Sequence, residues 1–200
     1  MNVEIQNTSK RLKRKDLILE SAINIFSQYG YQNTKLEQIT ESLKLTDKSI
    51  YYYFSSKGDL FIEVILSIQA KLNALISAIN KEECDHLSKI KLYTNKAMTI
   101  NGLTLLMQLP KSLSDFAKYD DIKENEFQQY AHWTNWFKKG QLDGSMINGD
   151  PEEHRNFLFG SLFYLHHWYA ITDNESYAHI QPFIEQMIDR MYSTKFQRLQ

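Results

Sequence analysis

Between Thr34 and Phe54 the sequence leaves room for two helices of about two turns each, and only about three residues to join them. Thr34 with Glu37 three residues on reads as a capping box, opening a helix with Leu36, Ile39 and Leu43 on one face. Thr46 is the expected N-cap of the second, whose inward positions are Ile50 and Phe54. So short a joint forces the two to cross steeply, and both need a third helix to cover their apolar faces. The chain supplies it upstream. Leu17, Ile18, Ser21, Ala22, Ile25 and Phe26 recur at helical spacing, and Gly30 is the expected stop, in the left-handed conformation.

The same periodicity runs to the end. Ser56 with Asp59 forms a second capping box before a long helix through Leu60, Val64, Ile68, Leu72, Leu75 and Ile79. Further helices are expected over about 85–100, from Leu103 to a break at Pro110, over 121–139, over Pro151–Ile171 and over Pro182–Lys195. Residues 140–150, with Gly140, Gly144 and Gly149, form the clearest loop, and Asp150-Pro151-Glu152-Glu153 is a strong helix start. Only seven Gly and three Pro among 200 residues argue against turn-rich β architectures. The expected class is all-α, with a boundary near 57: residues 1–57 as one domain, 58–200 as another.

Composition excludes several functions. The single cysteine, Cys84, rules out an internal disulfide and a cysteine zinc cage. No apolar run of membrane-span length is expected, and no signal-peptide pattern opens the chain, so a cytoplasmic location is expected. No phosphate-binding Gly loop or Gly-x-Ser-x-Gly motif occurs, and no catalytic constellation is found; no cofactor is expected. Glu83 and His86 have the spacing of half a di-iron motif without its second half. His166 and His167 are adjacent, so they cannot chelate together from one helix face.

The net charge of −1 divides unevenly, +2 over residues 1–60 and −3 over 61–200. Five basic residues fall within 10–15: Lys10, Arg11, Lys13, Arg14 and Lys15. Such a cluster is either a solvated terminus or a basic arm (about 9–15) for phosphates. The second short helix decides between them. Its outer face carries Asp47, Lys48, Ser49, Tyr51, Tyr52 and Tyr53, an odd surface unless hydroxyls donate to phosphates and rings lie on sugars. Lys57 stands in a helix first turn, where a cation is misplaced unless an external phosphate offsets it.

Arg14 through Leu60 resembles the DNA-binding region of the TetR family of bacterial transcriptional regulators. The stretches that carry the resemblance are ILESAINIFSQYGYQNTKLEQI and LKLTDKSIYYYFSSKGDLF, within about 47 of the 200 residues. Ala22 with Phe26, Gly30-Tyr31, Thr34, Tyr51-Tyr52-Tyr53-Phe54 and Lys57 match the family pattern. One departure falls in the turn, where the family's usual Ala-Gly is Leu43-Lys44. A non-Gly residue at positive φ costs about 1–2 kcal/mol, so strain is expected at Lys44.

The resemblance implies a three-helix helix-turn-helix domain, with the motif at about 34–54, and a helical C-terminal domain for ligand binding and dimerisation. It implies phosphate or sugar contacts from Thr34, Lys35, Tyr51, Tyr53 and Lys57. Base-edge contacts would come from Asp47, Lys48, Ser49 and Tyr52, with Thr46 heading the helix. One such head binds too weakly alone, so a homodimer on a pseudo-palindromic operator is implied, acting as a repressor in the family's usual manner. Phe157, Gly160, Ser161, Tyr164, Trp168, Met187 and Met191 are the candidate dimer contacts. Met98, Met107, Phe116, Trp133 and Phe137 are candidate liners of a pocket for an unidentified effector, apolar or aromatic in character. The same residues equally suit a packed core, and a helical protein-interaction module without sequence-specific DNA binding is the alternative.

Overall fold

The computed structural model describes residues 2–169, 171 and 174–197, of which the side chains of 2–10, 174 and 197 are not described. Among the described residues ten α-helices run in order: α1 (Asn2–Asn33), α2 (Leu36–Ser42), α3 (Asp47–Tyr51), α4 (Lys57–Ile79), α5 (His86–Ala97), α6 (Tyr119–Leu142), α7 (Pro151–Trp168), α8 (Asn174–Ala178), α9 (Gln181–Tyr192) and α10 (Thr194–Gln197). The stretch from Leu103 to Gln108, expected as α-helix, is 3-10, and a second 3-10 turn covers Lys111–Leu113. Among the described residues no strand occurs, only an isolated antiparallel bridge between Met146 and Ser193.

Local signals account for most boundaries. Gly30 breaks α1 with φ 73° and ψ 164°, an extended conformation of positive φ rather than the left-handed helical one expected. The Asp150 carboxylate accepts from Glu152 N and Glu153 N, with Pro151 in the first turn of α7. Asp85 caps α5 by accepting from Ser88 N. At α4 the Ser56 hydroxyl accepts from Asp59 N, while the Asp59 carboxylate accepts from Ser55 N. The box at α2 sits one residue later than expected: Gln38 Oε1 accepts from Lys35 N at 2.7 Å. The basic segment 9–15 is helical, part of α1, and the side chain of Lys10 lies outside the described residues.

Two compact units emerge. The first comprises Met1–Ile68 and Thr104–Ile122. Its core joins Ile18, Ala22, Ile23 and Phe26 of α1 to Ile39, Ile50, Phe54, Leu60, Phe61 and Val64. Phe26 meets Phe61 edge to face at 4.9 Å. Leu17, expected on the apolar stripe, faces solvent, and Ile23 takes the buried place. The segment 104–122 closes this unit over Gly58, where an added Cβ would stand 2.6 Å from Phe116 Cζ. Glu63 of α4 is bridged by Lys15 and Lys118. Burial alone would raise the Glu63 pKa, but the two ammonium groups hold it below the usual carboxylate range.

The second unit comprises Gln69–Leu103 and Lys123–Gln200. Its core is aromatic: Tyr93, Trp133, Trp136, Phe137 and Tyr192, with Ile184 and Ile188. Among the described residues one helix, Lys57–Ile79, is long and apolar enough to cross a membrane, against the expectation of none, and half of its most apolar stretch is buried within the protein. His86 pairs with Asp143 (Nδ1 to Oδ2, 2.6 Å), and among the described residues no cluster of His, Cys, Asp and Glu could hold a metal ion.

Candidate nucleic-acid interface

The turn between α2 and α3 is closed by main-chain hydrogen bonds: Leu45 N donates to Thr40 O at 2.8 Å, and Lys44 N to Glu41 O at 3.1 Å. This six-to-one plus five-to-two pair is a Schellman arrangement, which needs a left-handed residue in the position Lys44 occupies. Lys44 has φ 52°, the one described non-glycine residue with positive φ, so the strain expected there is present. A side-chain bond reinforces the crossing. The buried Thr40 hydroxyl donates to the Asp47 carboxylate at 2.9 Å, tying the start of α3 to α2. Ile50 and Phe54 anchor α3 from beneath, as their spacing requires.

That leaves one face of α3 outward. Thr46, Asp47, Lys48, Tyr51 and Tyr52 are exposed, Ser49 and Tyr53 half-buried. Tyr51 is 56% exposed and Tyr52 69%, large values for aromatic side chains. Tyr52 and Tyr53 meet edge to face at 4.9 Å, which fixes the outer ring against its neighbour. The Thr46 and Ser49 hydroxyls share a hydrogen bond of 3.1 Å at the head of the helix. The helix itself is short, Asp47–Tyr51, and the chain continues as a turn through Phe54 rather than filling two full helical turns.

Two members of the predicted set turn inward. Thr34 is 1% exposed, and its hydroxyl donates to the Gly30 carbonyl at 2.8 Å. The Lys57 ammonium donates to Tyr31 O (2.9 Å), Gln32 O (3.3 Å) and Thr34 O (2.9 Å), and lies 4.6 Å from the Tyr31 ring centroid. Three carbonyls, and not an external anion, therefore compensate a cation in the first turn of α4. Sequence reading missed this because the partners lie more than twenty residues away. Lys35, beside Thr34, is exposed. Of the basic cluster, Arg11, Lys13 and Arg14 are exposed, whereas Lys15 is bound to Glu63.

Comparison with known proteins agrees with this geometry. The family model described as bacterial regulatory proteins, tetR family, matches residues 18–64, from α1 into α4. Over 61 residues the chain is 43% identical to the HTH-type transcriptional repressor NicS of Pseudomonas putida, covering 30% of this chain but only 29% of that protein. Over 152 residues it is 28% identical to the HTH-type transcriptional regulator RutR of Escherichia coli, covering 69% of this chain and 70% of that one. Residues 18–64 thus match the DNA-binding region of the tetR family model.

The relatives that the chain matches are named as transcriptional regulators of the helix-turn-helix type. The fold likeness extends over both units. The ketosteroid transcriptional regulator KstR2 of Mycobacterium tuberculosis superposes with a TM-score of 0.77 at 16% identity, over 90% of this chain and 95% of that one.

The remaining predicted residues fall in separate places. Trp133, Phe137 and Met98 are buried in the second unit. Met107, 62% exposed, and Phe116, packed on Gly58, belong to the first. On α7, by contrast, Phe157, Gly160, Tyr164 and Trp168 lie exposed at helical spacing, with Ser161 half-buried beside them, and on α9 Met187 is exposed and Met191 half-buried. Tyr169 and Phe183, which the sequence did not single out, are exposed as well.

Proposed function

We propose that this chain is a cytoplasmic, ligand-responsive repressor acting as a homodimer on a pseudo-palindromic operator. The observation that carries the reading is the outward face of α3. Lys48 and Asp47 lead it, with donor and acceptor chemistry suited to guanine and cytosine edges in a major groove. Tyr52 and Ser49 complete the base-facing set, while Lys35, Thr46, Tyr51 and Tyr53 take the backbone on either side. Thr34 and Lys57 act from inside, by holding the frame on which α3 is mounted.

Dimerisation is supported by the exposed apolar stripe on α7 and α9. Trp168 alone is 70% exposed, and a row of large aromatic side chains in water is unfavourable without a partner. NicS is named a repressor, which supports the same sign of regulation here. A small molecule that binds the DNA-incompetent arrangement more tightly would release the operator.

A mobility-shift titration with the DNA upstream of the gene tests the reading. Sequence-selective retardation that weakens steeply with salt is expected. K48A should change which sequence is preferred, and K35A should weaken binding to all sequences alike. Weak retardation indifferent to sequence would favour a protein-interaction module instead.

A further inference from the structure

A cleft of about 320 Å³ opens on the second unit where the start of α5, the turn after α6 and the α9–α10 junction meet. Its lining comes from residues 85–91, 145 and 189–196, so neither α6 nor α7 contributes to it. Hydrogen bonds stitch the three segments together. Ile147 N donates to Tyr192 O at 2.8 Å and Thr194 N to Ser145 O at 3.3 Å, flanking the antiparallel bridge between Met146 and Ser193. The Thr194 hydroxyl donates to the Gly144 carbonyl at 2.7 Å. On the α5 side, Asp143 Oδ2 accepts from His86 N at 3.2 Å, and Ser145 Oγ accepts from Leu87 N at 3.4 Å. Lys91 of α5 reaches both carboxylate oxygens of Asp189 on α9, at 2.9 and 3.1 Å. The walls are therefore fixed by the protein's own bonds, as a preorganised site requires.

Within this frame several polar groups are left over. Ser193 is 6% exposed and lines the cleft, yet its hydroxyl makes no hydrogen bond among the described residues. Ser88 brings a second such hydroxyl from α5. Asp85 gives one carboxylate oxygen to Ser88 N and keeps the other. The Lys91 ammonium has a third donor beyond the two that Asp189 takes, and Lys195 has no partner among the described residues. Apolar wall comes from the buried Leu87 and from Phe196, whose ring is steadied by the Arg190 guanidinium 5.7 Å from its centroid.

We propose that this cleft binds a small, neutral, polyhydroxylated molecule: a sugar or cyclic polyol of about one ring. The inference goes beyond the DNA-binding reading and does not depend on it. Two carboxylates (Asp85 and Asp189) and two ammonium groups (Lys91 and Lys195) cancel, so the cleft favours neither an anion nor a cation. A ligand hydroxyl donates and accepts at once, which suits a wall that offers both, and hydrogen bonds to charged groups are the strong ones. The C–H face of a ring would lie against Phe196 and Leu87. A zwitterion would put its charges at the rim, where Asp85 and Lys195 are exposed and water screens such pairs, whereas the deeply buried group is a neutral hydroxyl. The volume is near the lower end of the range for ligand sites, about 300–1,000 Å³, hence a single ring.

Glucose, galactose, mannose, ribose and myo-inositol probe the cleft in the full-length protein, with gluconate, glucosamine and free serine as charged and zwitterionic counterparts. The readout is the amide resonances of Ser88, Ser145 and Ser193. At least one of the five neutral probes is expected to shift them saturably, and to bind more tightly than any of the other three. S193A should weaken that probe about fivefold or more and leave the Tm unchanged, because the hydroxyl it removes has no bond to lose. S88A gives an independent check from α5, with a loss of the same order. Failure of all five neutral probes to shift these resonances would overturn the proposal. So would tighter binding of gluconate, glucosamine or serine, or S193A and S88A proteins that bind as well as the parent.

Discussion

The Lys57 ammonium donates to the Thr34 carbonyl at 2.9 Å, across 23 residues of sequence, and so joins the start of α4 to the loop that precedes α2. With the Tyr31 and Gln32 carbonyls it holds the last residues of α1, beyond the break at Gly30. Charge-assisted hydrogen bonds of this kind are worth about 1.5–3 kcal/mol on truncation. K57A is expected to lower the Tm and to weaken operator binding together. A variant of unchanged Tm and reduced binding would instead make Lys57 a direct phosphate contact.

Lys44 occupies the left-handed position of the α2–α3 turn. Removing its Cβ relieves about 1–2 kcal/mol, offset by about 0.5–1 kcal/mol of added chain entropy in the unfolded state. K44G should therefore raise stability slightly, by up to about 1 kcal/mol, with operator binding retained. Urea denaturation measures it; a lower midpoint would contradict the strain assigned to this turn.

His166 gives stability a pH dependence with a definite sign. Its pKa is depressed to about 4, chiefly by burial, against about 6.5 in the unfolded chain. Between those values the unfolded state binds more protons, so stability falls as pH drops from about 6.5 to about 4. The full loss is about 3 kcal/mol. In H166F this portion of the acid sensitivity should vanish, as read from Tm at pH 7 and at pH 5 (about midway through the window).

Trp168 and Tyr164 protrude from α7 with little support from their own chain. W168E should convert the proposed homodimer to monomer in sedimentation equilibrium and leave the helical content intact, because the side chain it replaces is mostly in solvent. A W168E protein that stays dimeric would move the interface elsewhere.

How much of this is legible in the sequence follows from the range of each interaction. Ile18, Ala22, Phe26, Ile39, Ile50 and Phe54 are readable because helical periodicity is local and the core they form is continuous. Asp150 and Ser56 are readable because caps act over three residues. For Lys57 the sequence yields the position and not the partner: a helix first turn is a local feature, but the carbonyls that hold the ammonium are distant. The same holds for Phe116, whose partner Gly58 is brought near only by the tertiary fold. His166 shows no chelating spacing, and nothing local reveals that its ring is buried. The 3-10 turn from Leu103 is hidden because its apolar spacing fits an α-helix equally well.

Selection of bound duplexes from a random-sequence pool tests the central claim most directly. Two α3 faces related by a twofold axis predict an enriched pseudo-palindrome, its half-sites about one duplex turn or a small multiple apart. An enriched site without internal symmetry, or no enrichment over the starting pool, would contradict it.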